Sequence, residues 1–122
     1  MGLDMYARTS IYHTERQVDL ESHENDVEIH NWRKHPDMHG WMERLYRERG
    51  GRDENFNCTS VRLKAADLDA LERDVRAGLL PHTCGFFFGQ SDGSERADDL
   101  RFVAKAREAL SRGLVVYSTS WW

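Results

Sequence analysis

Three stretches of helical periodicity, each followed by glycine, alternate with short extended segments, and this alternation restricts the chain to a mixed α and β architecture. In residues 36 to 48 the apolar stripe is Met38, Trp41, Met42 and Leu45, and Gly50 and Gly51 follow. Proline inside a helix costs on the order of 3 kcal/mol but little at the first helical position, so this helix is predicted to begin at Pro36. A second helix spans residues 65 to 78, with Leu68, Leu71 and Val75 inward and Gly78 at its end. The third spans 95 to 112 with Ser94 as cap, a stripe of Leu100, Val103, Ala106 and Leu110, and Gly113 as stop.

The segments between them read as strands. Residues 4 to 12 are rich in aromatic and β-branched types, residues 27 to 32 place Val27, Ile29 and Asn31 on one face, and residues 56 to 63 alternate Cys58, Ser60 and Arg62 against Thr59, Val61 and Leu63. The run Phe86, Phe87 and Phe88 between Gly85 and Gly89 predicts a strand buried on both faces, with Phe86 and Phe88 toward one layer and Phe87 toward the other. Residues 114 to 122 close the chain as a strand with Val115, Tyr117 and Trp121 on one face. Residues 13 to 25 are polar and suit a surface excursion. The expectation is a single α+β domain, residues 1 to 122, in which three helices pack on one sheet of four or five strands.

Composition bounds the partners. No apolar run approaches the roughly 20 residues that span a bilayer, and the first ten residues lack a basic segment followed by an apolar one, so a cytoplasmic protein with no membrane role is expected. Cys58 and Cys84 are too few for a disulfide scaffold and are predicted to be free thiols. The net charge of −4 disfavours a nucleic-acid backbone as partner. Charge is nonetheless segregated. Acidic residues crowd positions 19 to 28, and Arg33, Lys34, Arg44, Arg47, Arg49 and Arg52 crowd the stretch after them.

Several groupings bear on chemistry. His35 and His39 are four residues apart, a spacing that places two metal ligands on one helix face, but a residue before proline is pushed out of the α region. His35 should therefore precede the helix that contains His39, and no metal is assigned. His82 stands two residues before Cys84, which in a strand would turn both to one face and activate the thiol; a buried, inert cysteine is the plainer reading. The loop at residues 89 to 94 leads into a helix N-terminus, but Asp92, Glu95, Asp98 and Asp99 would repel an anion there. Residues 30 to 41 bring Trp32, Arg33, Lys34, His35, His39 and Trp41 around one helix start, a mixture suited to stacking a ring and meeting a negative charge.

The residues "MGLDMY" at the start, "NWRK" with His39 and Trp41, "LPHTCGFFFG" and the terminal "SWW" resemble a family of small phage and bacterial proteins, over most of the chain. Some members carry the label phosphoglycerate kinase, an activity for which this chain has neither two domains nor a nucleotide cradle. The resemblance implies a phage or prophage accessory protein and brings no catalytic residues with it.

The expected function is a non-catalytic module that binds a small polar, nucleotide-like ligand between residues 30 to 41 and 82 to 89, without a cofactor. Trp32, Arg33, Lys34, His35, His39, Trp41, His82, Cys84 and Gly85 are its candidate contacts. One alternative is a small hydrolase or transferase using His39, His82 and Cys84. Another is a homo-oligomeric or host-protein interaction module using Trp121 and Trp122.

Overall fold

In the computed structural model, which describes residues 2 to 85 and 88 to 122, strand β1 (Asp4–Ser10) lies in the middle of a four-stranded antiparallel sheet. The strand order is β2-β1-β4-β3, with β2 Val27–Arg33, β3 Ser60–Leu63 and β4 Val115–Trp121. Alternation of side chains then sorts the sheet into two faces. Met5 pairs with Trp32 and Ser120, Ala7 with His30 and Ser118, and Val61 and Leu63 pair with Ser118 and Val116. All of these side chains are buried and form the inner face.

Three helices cover that face: α1 (Pro36–Glu48), α2 (Ala65–Ala77) and α3 (Arg96–Ser111). Their predicted stripes supply much of the core, including Met38, Met42, Leu68, Leu71, Val103 and Ala106. Pro36 is the first residue of α1, as its missing N–H favours, and Gly78 ends α2 in the left-handed region at φ 69°. Helix α3 begins one residue later than expected. Its cap position is Glu95, and Ser94 instead donates from Oγ to Asp92. The α+β architecture of one sheet and three helices is the one its periodicities predict.

The opposite face of the sheet is partly covered by the excursion at residues 11 to 26. Asp19 N–H donates to Ser60 O and Arg62 N–H to Gln17 O, and Val18 bridges Val61, so this segment also occupies the outer margin of β3. Tyr117 on β4 reaches from the same face to Asp26, donating at 2.7 Å.

Three strand expectations need correction. In β2 the register slips opposite Ala7 and Arg8, leaving Ile29 without a partner, and the buried side chains are His30 and Trp32 while Val27 is exposed. Residues 56 to 59 do not extend β3 at its start, because Cys58 takes a positive φ of 60°. Residues 81 to 85, 88 and 89 form no strand; the expected orientations of Phe86 and Phe87 lie outside the described residues. Trp121 shares the face of Val115 and Tyr117, as expected, and at the end of β4 it is 69% exposed.

Candidate functional site

The start of α1 organises two neighbouring recesses. Lys34, at φ 54°, turns the chain sharply out of β2, and its N–H is held by Leu3 O at 2.8 Å. His35 sits outside the helix at φ −113°, as its position before Pro36 requires, while His39 is inside it. The two imidazoles consequently enter different surroundings.

His35 is buried against α3. One ring nitrogen, Nε2, lies 2.9 Å from Asp99 Oδ2, and Nδ1 lies 2.6 Å from Ser91 Oγ. The other oxygen of Asp99, itself buried, accepts the indole N–H of Trp32 at 3.0 Å. With His35 Nε2–H donated to the Asp99 carboxylate, the neutral ring would turn its Nδ1 lone pair toward Ser91. Ser91 Oγ also accepts the N–H of Asp37 in the first turn of α1 at 3.1 Å. Beside this array is a cavity of about 160 Å³ whose wall includes His35, Asp37, Val75, Leu80, Ser91 and Arg96.

His39 faces the second recess, a cleft of about 240 Å³ lined by Glu43, Glu54, Phe56, Thr83, Cys84, Gly85, Phe88 and Trp122 among others. The His39 ring is 1% exposed, and its Nδ1 has no hydrogen-bond partner among the described residues. Burial lowers the imidazole to about 4, so it is neutral at physiological pH. Phe56 and Phe88 flank it at 5.0 and 5.2 Å between ring centres, and Phe88 meets Trp122 edge-on. The segment forming the outer wall is pinned to α1: Thr83 N–H donates to Asp37 Oδ1 at 3.0 Å, and Gly40 leaves room for Thr83, whose Oγ1 lies 1.9 Å from where a Cβ at position 40 would stand.

The nine residues expected to form a single site are thus distributed unevenly. His39, Cys84 and Gly85 line one cleft, with Cys84 and Gly85 exposed. Trp32 is buried, donates to Asp99 and packs edge-on against Phe102. Trp41 is 7% exposed and donates to Asp74 at 2.9 Å, between α1 and α2. Arg33 is exposed on the edge strand and pairs with Asp4, and exposed Lys34 lays its stem against Gly89. His35 belongs to the neighbouring cavity, and His82 is exposed outside both linings. Both cysteines are free and exposed. Among the described residues no group of three or more His, Cys, Asp or Glu side chains is arranged to hold a metal ion.

Sequence reasoning did not reach Ser91 and Asp99 as partners of His35. Asp99 reads as an acidic residue stabilising the first turn of a helix, and Ser91 as part of a turn. The only available signal was a histidine held outside its helix by Pro36. Phe56 and Phe88 read as strand residues and Trp122 as a candidate protein contact, and no sequence signal singles out Thr83.

No helix among the described residues is long and apolar enough to cross a membrane. Comparison with protein-family models, curated proteins and solved structures finds no match to this chain.

Proposed function

We propose that the cleft over His39 is a non-catalytic binding site, whose ligand is a small polar molecule carrying a nucleobase-like ring. The observation carrying this reading is the buried His39 Nδ1 without a partner among the described residues. An unsatisfied buried polar atom costs about 1 to 3 kcal/mol, and a ligand N–H delivered to it would recover much of that cost. The surrounding groups suit such a ring. Glu43 and Glu54 accept hydrogen bonds from amino and imino groups, Asn55 and Thr83 add polar contacts, and Phe88 and Trp122 offer aromatic surface.

Trp32 and Trp41 are already committed to Asp99 and Asp74, so stacking falls to Phe88 and Trp122. Lys34, exposed beside Gly89, is the cation of this segment that would meet a phosphate, since Arg33 is paired with Asp4. In the phage setting that the sequence resemblance implies, a module of this kind would sequester a small host signal.

Thermal shift against a panel of nucleobases, nucleosides and nucleotides tests the reading. A ligand present at 100 times its Kd stabilises by about 2.7 kcal/mol, which raises the melting temperature measurably. Protection of Cys84 from alkylation, with Cys58 as internal control, should accompany that rise, because Cys84 lines the cleft and Cys58 does not. A panel in which no compound raises the melting temperature at millimolar concentration removes the proposal.

A further inference from the structure

The array of half-buried Ser91 with buried His35 and Asp99 has no role in ligand binding over His39, and it stands beside its own cavity. The geometry points to a second activity there: hydrolysis of a small ester, with Ser91 as nucleophile, His35 as general base and Asp99 as the residue that orients His35. This inference is independent of the binding function proposed for the other cleft.

Nucleophilic serine chemistry needs a hydroxyl facing the lone pair of an imidazole whose other nitrogen is held by a carboxylate. Both contacts are present, at 2.6 and 2.9 Å. The two ring nitrogens exchange their usual duties, Nδ1 facing the serine and Nε2 the aspartate, but the proton transfers require only one lone pair and one anchored N–H. Trp32 fixes the carboxylate through its free oxygen, and the ring of His35 is buried, so the orientation of the base is set from behind.

Ser91 is half-buried and lines the cavity together with the apolar Val75 and Leu80. At about 160 Å³ the cavity is on the scale of one that holds a benzene ring, about 150 Å³, which selects a short acyl group over a long chain. The loop amides of Asp92 and Gly93 are taken by the carboxylate of Glu95 and are not free to hold an oxyanion. Arg96 lines the same cavity and makes no ion pair among the described residues, so its guanidinium is the group assigned to the developing negative charge. The N–H of Asp37 on Ser91 Oγ positions the oxygen and favours negative charge on it.

In the first half-reaction Ser91 Oγ bonds to the ester carbonyl carbon while its proton passes to His35 Nδ1. The bond to the leaving alcohol oxygen then breaks, and that oxygen takes the proton from His35. In the second half-reaction water gives a proton to His35 Nδ1 and its oxygen bonds to the acyl carbon. The bond to Ser91 Oγ breaks, and the proton returns to Ser91, releasing a carboxylic acid. No oxidant or further reactant is involved.

The test is incubation of the full chain with ethyl fluorophosphonate, in parallel with an assay of p-nitrophenyl acetate hydrolysis. The expected result is one phosphonyl adduct per chain, mapped by peptide mass to Ser91, with hydrolysis lost in step. Ser91→Ala should take no adduct and lower the hydrolysis rate at least about 100-fold while retaining the wild-type circular dichroism spectrum. A folded wild-type protein whose Ser91 stays unmodified, or a folded Ser91→Ala variant that hydrolyses at the wild-type rate, would overturn the inference. Should Ser91→Ala fail to fold, the adduct map of the wild-type protein decides alone.

Discussion

Acidification should unmask the cost of keeping His39 neutral. Its imidazole is lowered to about 4 by burial, against about 6.5 in the unfolded chain. Between those two values the unfolded state binds a proton that the folded state refuses. Stability from this group is therefore whole above pH 6.5 and is lost as the pH falls toward 4. At pH 4.5 the linkage relation gives a loss of about 2.5 kcal/mol relative to neutral pH, about 1 to 2 M in the urea midpoint of a chain this size. Urea unfolding of the wild type and of His39→Leu at pH 7.0 and 4.5 measures it, because the other titrating groups are shared and cancel in the double difference. Leucine removes both the titration and the unpartnered Nδ1, so the variant should be the more acid-resistant protein by that amount. Equal pH dependence in the two proteins would show that position 39 is hydrated in solution, and the assignment of a neutral, desolvated imidazole would fall.

Replacing Asp99 by Ala leaves the buried N–H groups of Trp32 and His35 without their acceptor and should cost about 3 kcal/mol or more in urea unfolding. Gly40→Ala gains helix propensity of about 1 kcal/mol but drives a methyl group into Thr83; a net loss of about 1 to 2 kcal/mol is expected, partly recovered in the double variant with Thr83→Ala. The two terminal tryptophans should separate cleanly by thermal melting. Trp122→Ala loses the 2.7 Å hydrogen bond to Phe56 O and its packing on Phe88, about 2 kcal/mol, whereas exposed Trp121→Ala should change stability by less than about 0.5 kcal/mol.

The helices were legible because each carries its own punctuation. Pro36 can start a helix but not continue one, Gly78 accepts a left-handed terminus, and the stripes in between repeat at helical spacing. The central strand β1 was legible from its aromatic and β-branched residues, and it ends at Ser10, two residues before the predicted end. What failed was the inference from apolar content to sheet membership at residues 85, 88 and 89. Strand formation needs a vacant ladder, and the outer margin of β3 is already taken by residues 17 to 19. The N–H of Phe88 turns back to Gly85 O at 3.2 Å, so at least this amide is satisfied within its own segment. Three lining residues of the candidate cleft, His39, Cys84 and Gly85, followed from placing a site between residues 30 to 41 and 82 to 89. The Ser91, His35 and Asp99 array did not, because its members lie 56 and 64 positions from His35 and no local spacing encodes a meeting made by tertiary packing.

The bridge between Val18 and Val61 leaves the sheet with unequal flanks. On the β3 side the chain has already donated its own backbone, and among the described residues β2 is the sheet strand that still presents amides and carbonyls outward, interrupted by the slip at Ile29. A strand offered by a second copy would therefore add at β2, since residues 17 to 19 already stand along β3.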